Sequence, residues 1–367
     1  MYVRRSSGLA MAPRSSRVVS DLDAQALPSA VTESPRSAAG WKPRGASLFS
    51  FALSAVILAA LYRTIDVRLI VRDLRGVDTV WLLVSVGMIV PITLLRAVRF
   101  YLVAPRGTVA GTAEALRLTL VATAANVFLP AKSGDLVKSY FLAKGRWTSA
   151  GVSIAVVVYE RLCDLFGLIT WCALGWFVAK PVVPGVPAAV WPALGLFGAA
   201  CGVLVSSENI ARFGPALVAR VLAGRFQRLQ ALAEGWPRLF QTLGARRTSV
   251  ILLSLLLWLV HVIQIWMFTV ALSIRMPFTV CVSLTAIALM VGQLPFAFAG
   301  LGARDVALVV LMRGYVRPEA AAALGLLIST RNLLPPLAAL AIVRPYIESL
   351  ASEIGRGTRQ AATPDHT

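Results

Sequence analysis

Residues 249–272 read SVILLSLLLWLVHVIQIWMFTVAL, 24 positions without one Asp, Glu, Lys or Arg. A helix rises about 1.5 Å per residue, so a run of this length covers the roughly 30 Å hydrocarbon thickness of a bilayer. The segment reads as a membrane-spanning helix. His261 and Gln264 lie three residues apart on one face of it, an arrangement that reads as a hydrogen-bonding pair between packed helices.

Working outward, similar apolar runs recur at 46–63, 79–101, 149–179, 184–205 and 320–343. The chain is 57% hydrophobic with a mean hydropathy of +0.74, so membrane spans replace the soluble domains that 367 residues would otherwise suggest. The expected fold class is an all-α polytopic membrane protein of about six full spans plus two broken, re-entrant helical hairpins. Residues 1–45, rich in Ser, Ala, Pro and Arg, are expected to be a disordered cytoplasmic tail. Residues 46–345 form the membrane domain, and 346–367 a polar C-terminal tail. Within the domain, 206–248 carries many arginines against only Glu208 and Glu234, which marks the main cytoplasmic loop and predicts an amphipathic surface helix there. The linker RTIDVRLIVRDLRGVD at 63–78 mixes apolar and charged positions at helical spacing and should lie on the membrane surface.

The net charge of +19 sits at the borders of apolar runs, where it sets topology and meets anionic lipid; nucleic acid is not an expected partner. Arg96 and Arg99, near the end of the second span, are expected to snorkel to the interface. Trp171 and Trp176 are assigned to interfacial belts. Cys163, Cys172, Cys201 and Cys281 stand singly in apolar segments, without metal-site or disulfide spacing. With His261 and His366 as the only histidines, no metal or other cofactor is expected.

Two segments interrupt the apolar pattern, LPAKSGD at 129–135 and QLPFAFAGLGARD at 293–305. Each has Leu-Pro, a Gly-containing turn and an Asp, and Arg161 follows Asp135 by the same 26 residues by which Arg331 follows Asp305. This reads as an internal repeat, the first hairpin entering from the cytoplasmic side and the second from outside. Backbone groups freed by Pro and Gly cannot face lipid, so the breaks should line a cavity between the repeats.

Charges in these segments are the candidate substrate-binding residues. Glu160, Arg161 and Asp164 share one arc of a long apolar helix, where each costs roughly 2.5 to 3.5 kcal/mol unless paired or hydrated. One arrangement pairs Arg161 with Asp164, and Arg331 with Glu160, as a structural network. The other has Arg161 and Arg331 gripping an anionic group while carboxylates orient them. Lys132 and Asp135 lie at the first break and Lys138 just after it; Arg304 and Asp305 occupy the matching place in the second, and Asn332 adjoins Arg331. No catalytic nucleophile or donor-binding domain accompanies them, so an enzyme is not expected.

The stretches NVFLPAKSGDLVKSYFL, VVVYERLCDLFGL and LPFAFAGLGARDVALVVL resemble the transmembrane domain family of lysylphosphatidylglycerol synthases, flippase-like integral membrane proteins, over roughly residues 46–345. The resemblance implies a lipid-translocating module. The synthases' soluble aminoacyltransferase domain has no counterpart here, so a stand-alone member is expected. Arg304-Asp305 stands where the family commonly has Arg-Glu, and Phe296 and Phe298 make the second break unusually aromatic. The functional expectation is a flippase of the bacterial inner membrane, moving an anionic or aminoacylated phospholipid or a polyprenyl phosphate. The alternative is a non-transporting scaffold that presents lipid to a separate glycosyltransferase or acyltransferase.

Overall fold

The computed structural model describes residues 43–128, 134–144, 148–180, 187–210, 227–293, 302–331, 333–337 and 339, and every regular element among them is a helix. They are α1 (Pro43–Thr64), α2 (Val67–Arg75), α3 (Thr79–Gly87), α4 (Ile89–Val103), α5 (Thr112–Phe128), α6 (Asp135–Lys144) and α7 (Ala150–Ala179). There follow α8 (Val190–Ser206), α9 (Gln227–Leu243), α10 (Arg246–Ala271), α11 (Phe278–Val291) and α12 (Ala303–Met312). A further helix, α13, covers 318–331. The chain is an all-α, multi-pass membrane protein. Thr79–Val103, Ala150–Ala179 and Arg246–Ala271 are long and apolar enough to cross a bilayer, and Phe51–Thr64, Val190–Ser206 and Phe278–Val291 are shorter apolar helices.

Three boundaries differ from those read in the sequence. The span expected at 79–101 is two helices, α3 and α4, meeting at Met88. Pro91 explains the break: it has no N–H for the Gly87 carbonyl four residues back, and its ring crowds that carbonyl. α8 starts at Val190 rather than 184. The first span starts at Pro43. The tails expected at 1–45 and 346–367 otherwise lie outside the described residues.

The surface helix expected in the 63–78 linker is α2. Asp66 caps it by accepting from the Arg68 N–H at 2.8 Å, and Ile70 is its buried anchor. The one expected in the cytoplasmic loop is α9, but it does more than lie on the surface. Trp236, Leu239, Phe240 and Leu243 are buried in a core shared with α7.

α5 and α6 pack on each other, as do α11 and α12, so both breaks form hairpins. At 17 and 10 residues, α5 and α6 are roughly 25 and 15 Å long, too short to cross alone. Gly134 makes the first hairpin tight: a Cβ there would stand 2.4 Å from the Asn126 nitrogen and 2.5 Å from the Ala122 oxygen. Gly302 opens α12 at φ +81, a conformation that side chains rarely adopt.

The two hairpins leave the bundle at opposite ends. α10, about 39 Å long, is the measure. Beyond α6 the chain enters α7, whose Gly151 lies against Gly235 of α9, beside the Arg246 end of α10. Beyond α12 it reaches Arg317, which pairs with Asp73 of α2 at 3.1 Å, and the 63–78 linker meets the other end of α10 through the Asp78 N–H to the Ala271 carbonyl at 2.9 Å. A cysteine at exposed Ala150 and another at exposed Arg313, in a cysteine-free background, should therefore be labelled by an impermeant thiol reagent from opposite faces. Labelling from one face contradicts the inverted arrangement.

Candidate functional site

α7 is the hub, packing on α6, α8, α9, α10 and α11. Its Glu160, Arg161 and Asp164 face a cavity of about 160 Å³ together with Asp135 and Lys138 of α6, Arg96 and Arg99 of α4, Trp258 and His261 of α10, and Arg331 of α13. α5 contributes Thr119, Thr123 and Asn126, a polar stripe at helical spacing on an otherwise apolar helix.

Ion pairs knit the wall. Arg99 donates to the Asp164 carboxylate at 2.5 Å and faces Glu160 at 3.7 Å. Lys138 Nζ donates to Glu160 Oε2 at 3.2 Å and lies over the Phe100 ring, 4.7 Å from its centroid. Arg161 pairs with Asp135, which also accepts from the Asn126 amide at 3.4 Å. The Trp258 indole donates to Asp164 at 3.0 Å, and Ser254 accepts from Arg99 at 3.4 Å while giving its own proton to the Val250 carbonyl at 2.7 Å. These partners are not the ones expected. Arg161 holds Asp135 instead of Asp164, because α6 folds back onto α7 and brings its first residue to that face. Arg331 meets Gln264 instead of Glu160.

Arg96 and Arg99 are the larger correction. Neither snorkels; both turn inward, Arg99 because Asp164 and Glu160 on α7 offer it two carboxylates. Arg96 donates to His261 Nε2 at 3.2 Å, and His261 Nδ1 bonds the Leu257 carbonyl at 2.8 Å. The network thus assigns the Nδ1–H neutral tautomer, with Nε2 as acceptor. Arg331 donates to Gln264 Oε1 at 3.1 Å, and the Gln264 amide is fixed by donation to the Ser85 carbonyl at 2.7 Å. His261 and Gln264 are therefore not partners of each other. They are two neutral acceptors, one turn apart on α10, that hold an arginine each.

Among the described residues the cavity wall carries five cations and three carboxylates, an excess of two positive charges. Arg99, Lys138 and Arg161 are bound to the three carboxylates. Among the described residues Arg96 and Arg331 have neutral acceptors only, so the excess resides on them. The wall also holds buried polar atoms without a hydrogen-bond partner among the described residues: Thr119 Oγ1, Asn126 Oδ1, Glu160 Oε1 and Arg99 Nε.

Arg304 and Asp305 do not line this cavity. Both are buried and consume each other's bonding capacity: Arg304 Nη2 donates to Asp305 Oδ1 at 2.6 Å, to Ser329 Oγ at 2.6 Å and to the Gly325 carbonyl at 3.0 Å. Asp305 Oδ2 accepts from the Gly302 N–H at 3.1 Å. The pair fastens α12 to α13, so equal spacing in the two halves does not produce equal contacts. Lys132 and Asn332 lie outside the described residues. Trp171 donates to the Leu255 carbonyl at 2.9 Å, tying α7 to α10, and Trp176 stacks on Trp191 of α8 with centroids 5.4 Å apart, so both serve helix packing.

The sequence matches the family described as the lysylphosphatidylglycerol synthase TM region over residues 47–339. The chain belongs to that family. The matched region takes in every residue of the charged cavity. No curated protein matches the chain.

Proposed function

We propose that the protein is a flippase of the bacterial cytoplasmic membrane, whose cavity takes the headgroup of an anionic lipid while the acyl or prenyl tails stay in the bilayer. The observation that carries this reading is the two-charge excess on Arg96 and Arg331 inside a membrane bundle. Uncompensated charge in low dielectric is strongly disfavoured, so such a site is stabilised by an anion. Membership of a lipid-handling family supports the lipid as its carrier. All three cavity carboxylates are already paired, which favours an anionic headgroup over an aminoacylated, cationic one. The activity is transport, and a separate lipid-modifying enzyme is a proposed partner.

The test is reconstitution of the protein alone in vesicles with labelled phospholipids and a polyprenyl phosphate, with and without an ion gradient. At least one anionic lipid should change leaflets faster than in protein-free vesicles. Lipid binding without accelerated exchange of any lipid defeats transport and leaves a scaffold that presents lipid to an enzyme.

A further inference from the structure

We propose that the cavity selects a terminal phosphate in its dianionic form, a phosphomonoester on an apolar chain, over the singly charged phosphodiester of ordinary phospholipids. The inference rests on the anionic-lipid reading above and names its substrate class.

Three observations converge. The excess is two positive charges, which a dianion neutralises and a phosphodiester leaves half unmet. The two cations come from different halves of the chain, Arg96 on α4 and Arg331 on α13, yet both are held by residues three apart on one face of α10. Side chains at that spacing sit roughly 5–6 Å apart at Cβ, so the guanidinium groups converge on one locus. Each guanidinium has five N–H donors in a planar fork, a match for the several oxygens of a terminal phosphate. Finally, the free space of about 160 Å³ beside these side chains is enough to admit a phosphate group.

The experiment uses the full chain in nanodiscs and two lipids with identical dioleoyl tails, phosphatidic acid as the phosphomonoester and phosphatidylglycerol as the phosphodiester. At pH 8 phosphatidic acid should bind at least tenfold more tightly. A phosphomonoester takes up its second proton near pH 6, so its dianion fraction falls about tenfold between pH 8 and pH 5, and the preference should fall with it. The groups facing the site are Arg96 and Arg99 on α4, Asp135 and Lys138 on α6, Glu160, Arg161 and Asp164 on α7, His261 on α10 and Arg331 on α13. Any titration among them acts on both lipids, and taking the ratio removes the part they share. Arg96→Gln and Arg331→Gln should each abolish the preference, whereas Arg96→Lys, which keeps the charge, should retain it. Equal affinities at pH 8, or a ratio that does not change with pH, overturn the proposal; wild-type protein alone decides this, whatever the variants do to folding. Inorganic phosphate is the third probe. Displacement of lipid by phosphate at equal concentration means a free-anion site and overturns the lipid assignment. Failure to move lipid in vesicles, with the headgroup preference intact, defeats the flippase reading and leaves this one standing.

Discussion

Glu160→Gln should be the most destabilising single substitution in the cavity wall, costing about 3–5 kcal/mol. Glu160 is buried between two cations, with Lys138 at 3.2 Å and Arg99 at 3.7 Å. Arg99 retains Asp164 when Glu160 becomes neutral, but among the described residues Lys138 loses its only carboxylate. The wall then carries an excess of three positive charges instead of two. Removing one member of a buried pair is costly because the survivor stays buried and uncompensated, whereas removing both is often tolerated. Lys138→Met in the Glu160→Gln background should therefore recover more than half of the loss. The measurement is a denaturing-detergent titration of the four proteins of this cycle. A single variant within about 1 kcal/mol of wild type, or a double variant no better than the single, dismisses the network as a determinant of stability.

How far the sequence discloses this architecture varies by level. Membrane class and the helices around 46–63, 149–179 and 249–272 are legible because apolar length is a local property. The two hairpins are legible because Pro and Gly punctuate apolar runs. The break inside 79–101 was also signalled, by Pro91, yet hydropathy alone reads through it. The site is less legible. Glu160, Arg161 and Asp164 announce themselves by sitting in the middle of a long apolar helix. Arg96 and Arg99 stand within two turns of a helix end, where turning inward and snorkelling leave the same pattern; the carboxylates that decide between them are on α7, 65 residues away for the Arg99–Asp164 pair. Only tertiary packing supplies that information. His261 and Gln264 show the same limit. Their shared face was visible, but the arginines they hold come from α4 and α13. α5 carries a usable signal of its own, since Thr119, Thr123 and Asn126 form a polar stripe on an apolar helix. Arg304 and Asp305 mislead in the other direction. Adjacent opposite charges beside a glycine turn look like a ligand site, and here they fasten one helix to the next.

Removing both uncommitted cations should slow lipid movement far more than it lowers stability. In the Arg96→Gln/Arg331→Gln double variant every cavity carboxylate keeps its ion-pair partner, since Arg99, Lys138 and Arg161 are untouched. The wall goes from an excess of two charges to none, which relieves repulsion between the two guanidinium groups. Folded yield should thus hold or rise. Transfer is another matter, because a phosphate leaving water for the bundle gives up its hydration and regains it only from donors along the path. A hydrogen bond to a charged group contributes about 1.5–3 kcal/mol, so losing two raises the barrier by roughly 3–6 kcal/mol, a slowing of at least about a hundredfold. Arg304→Gln provides the contrast. It leaves Asp305 buried without its cation and should reduce folded yield, yet transfer per folded molecule should stay near wild type because Arg304 lies outside the cavity. Both rates come from leaflet accessibility of a labelled anionic lipid in vesicles, normalised to folded protein. If the double variant transfers lipid at the wild-type rate, or Arg304→Gln is the slower of the two, then the cavity beside Arg96 and Arg331 is not the route the headgroup takes.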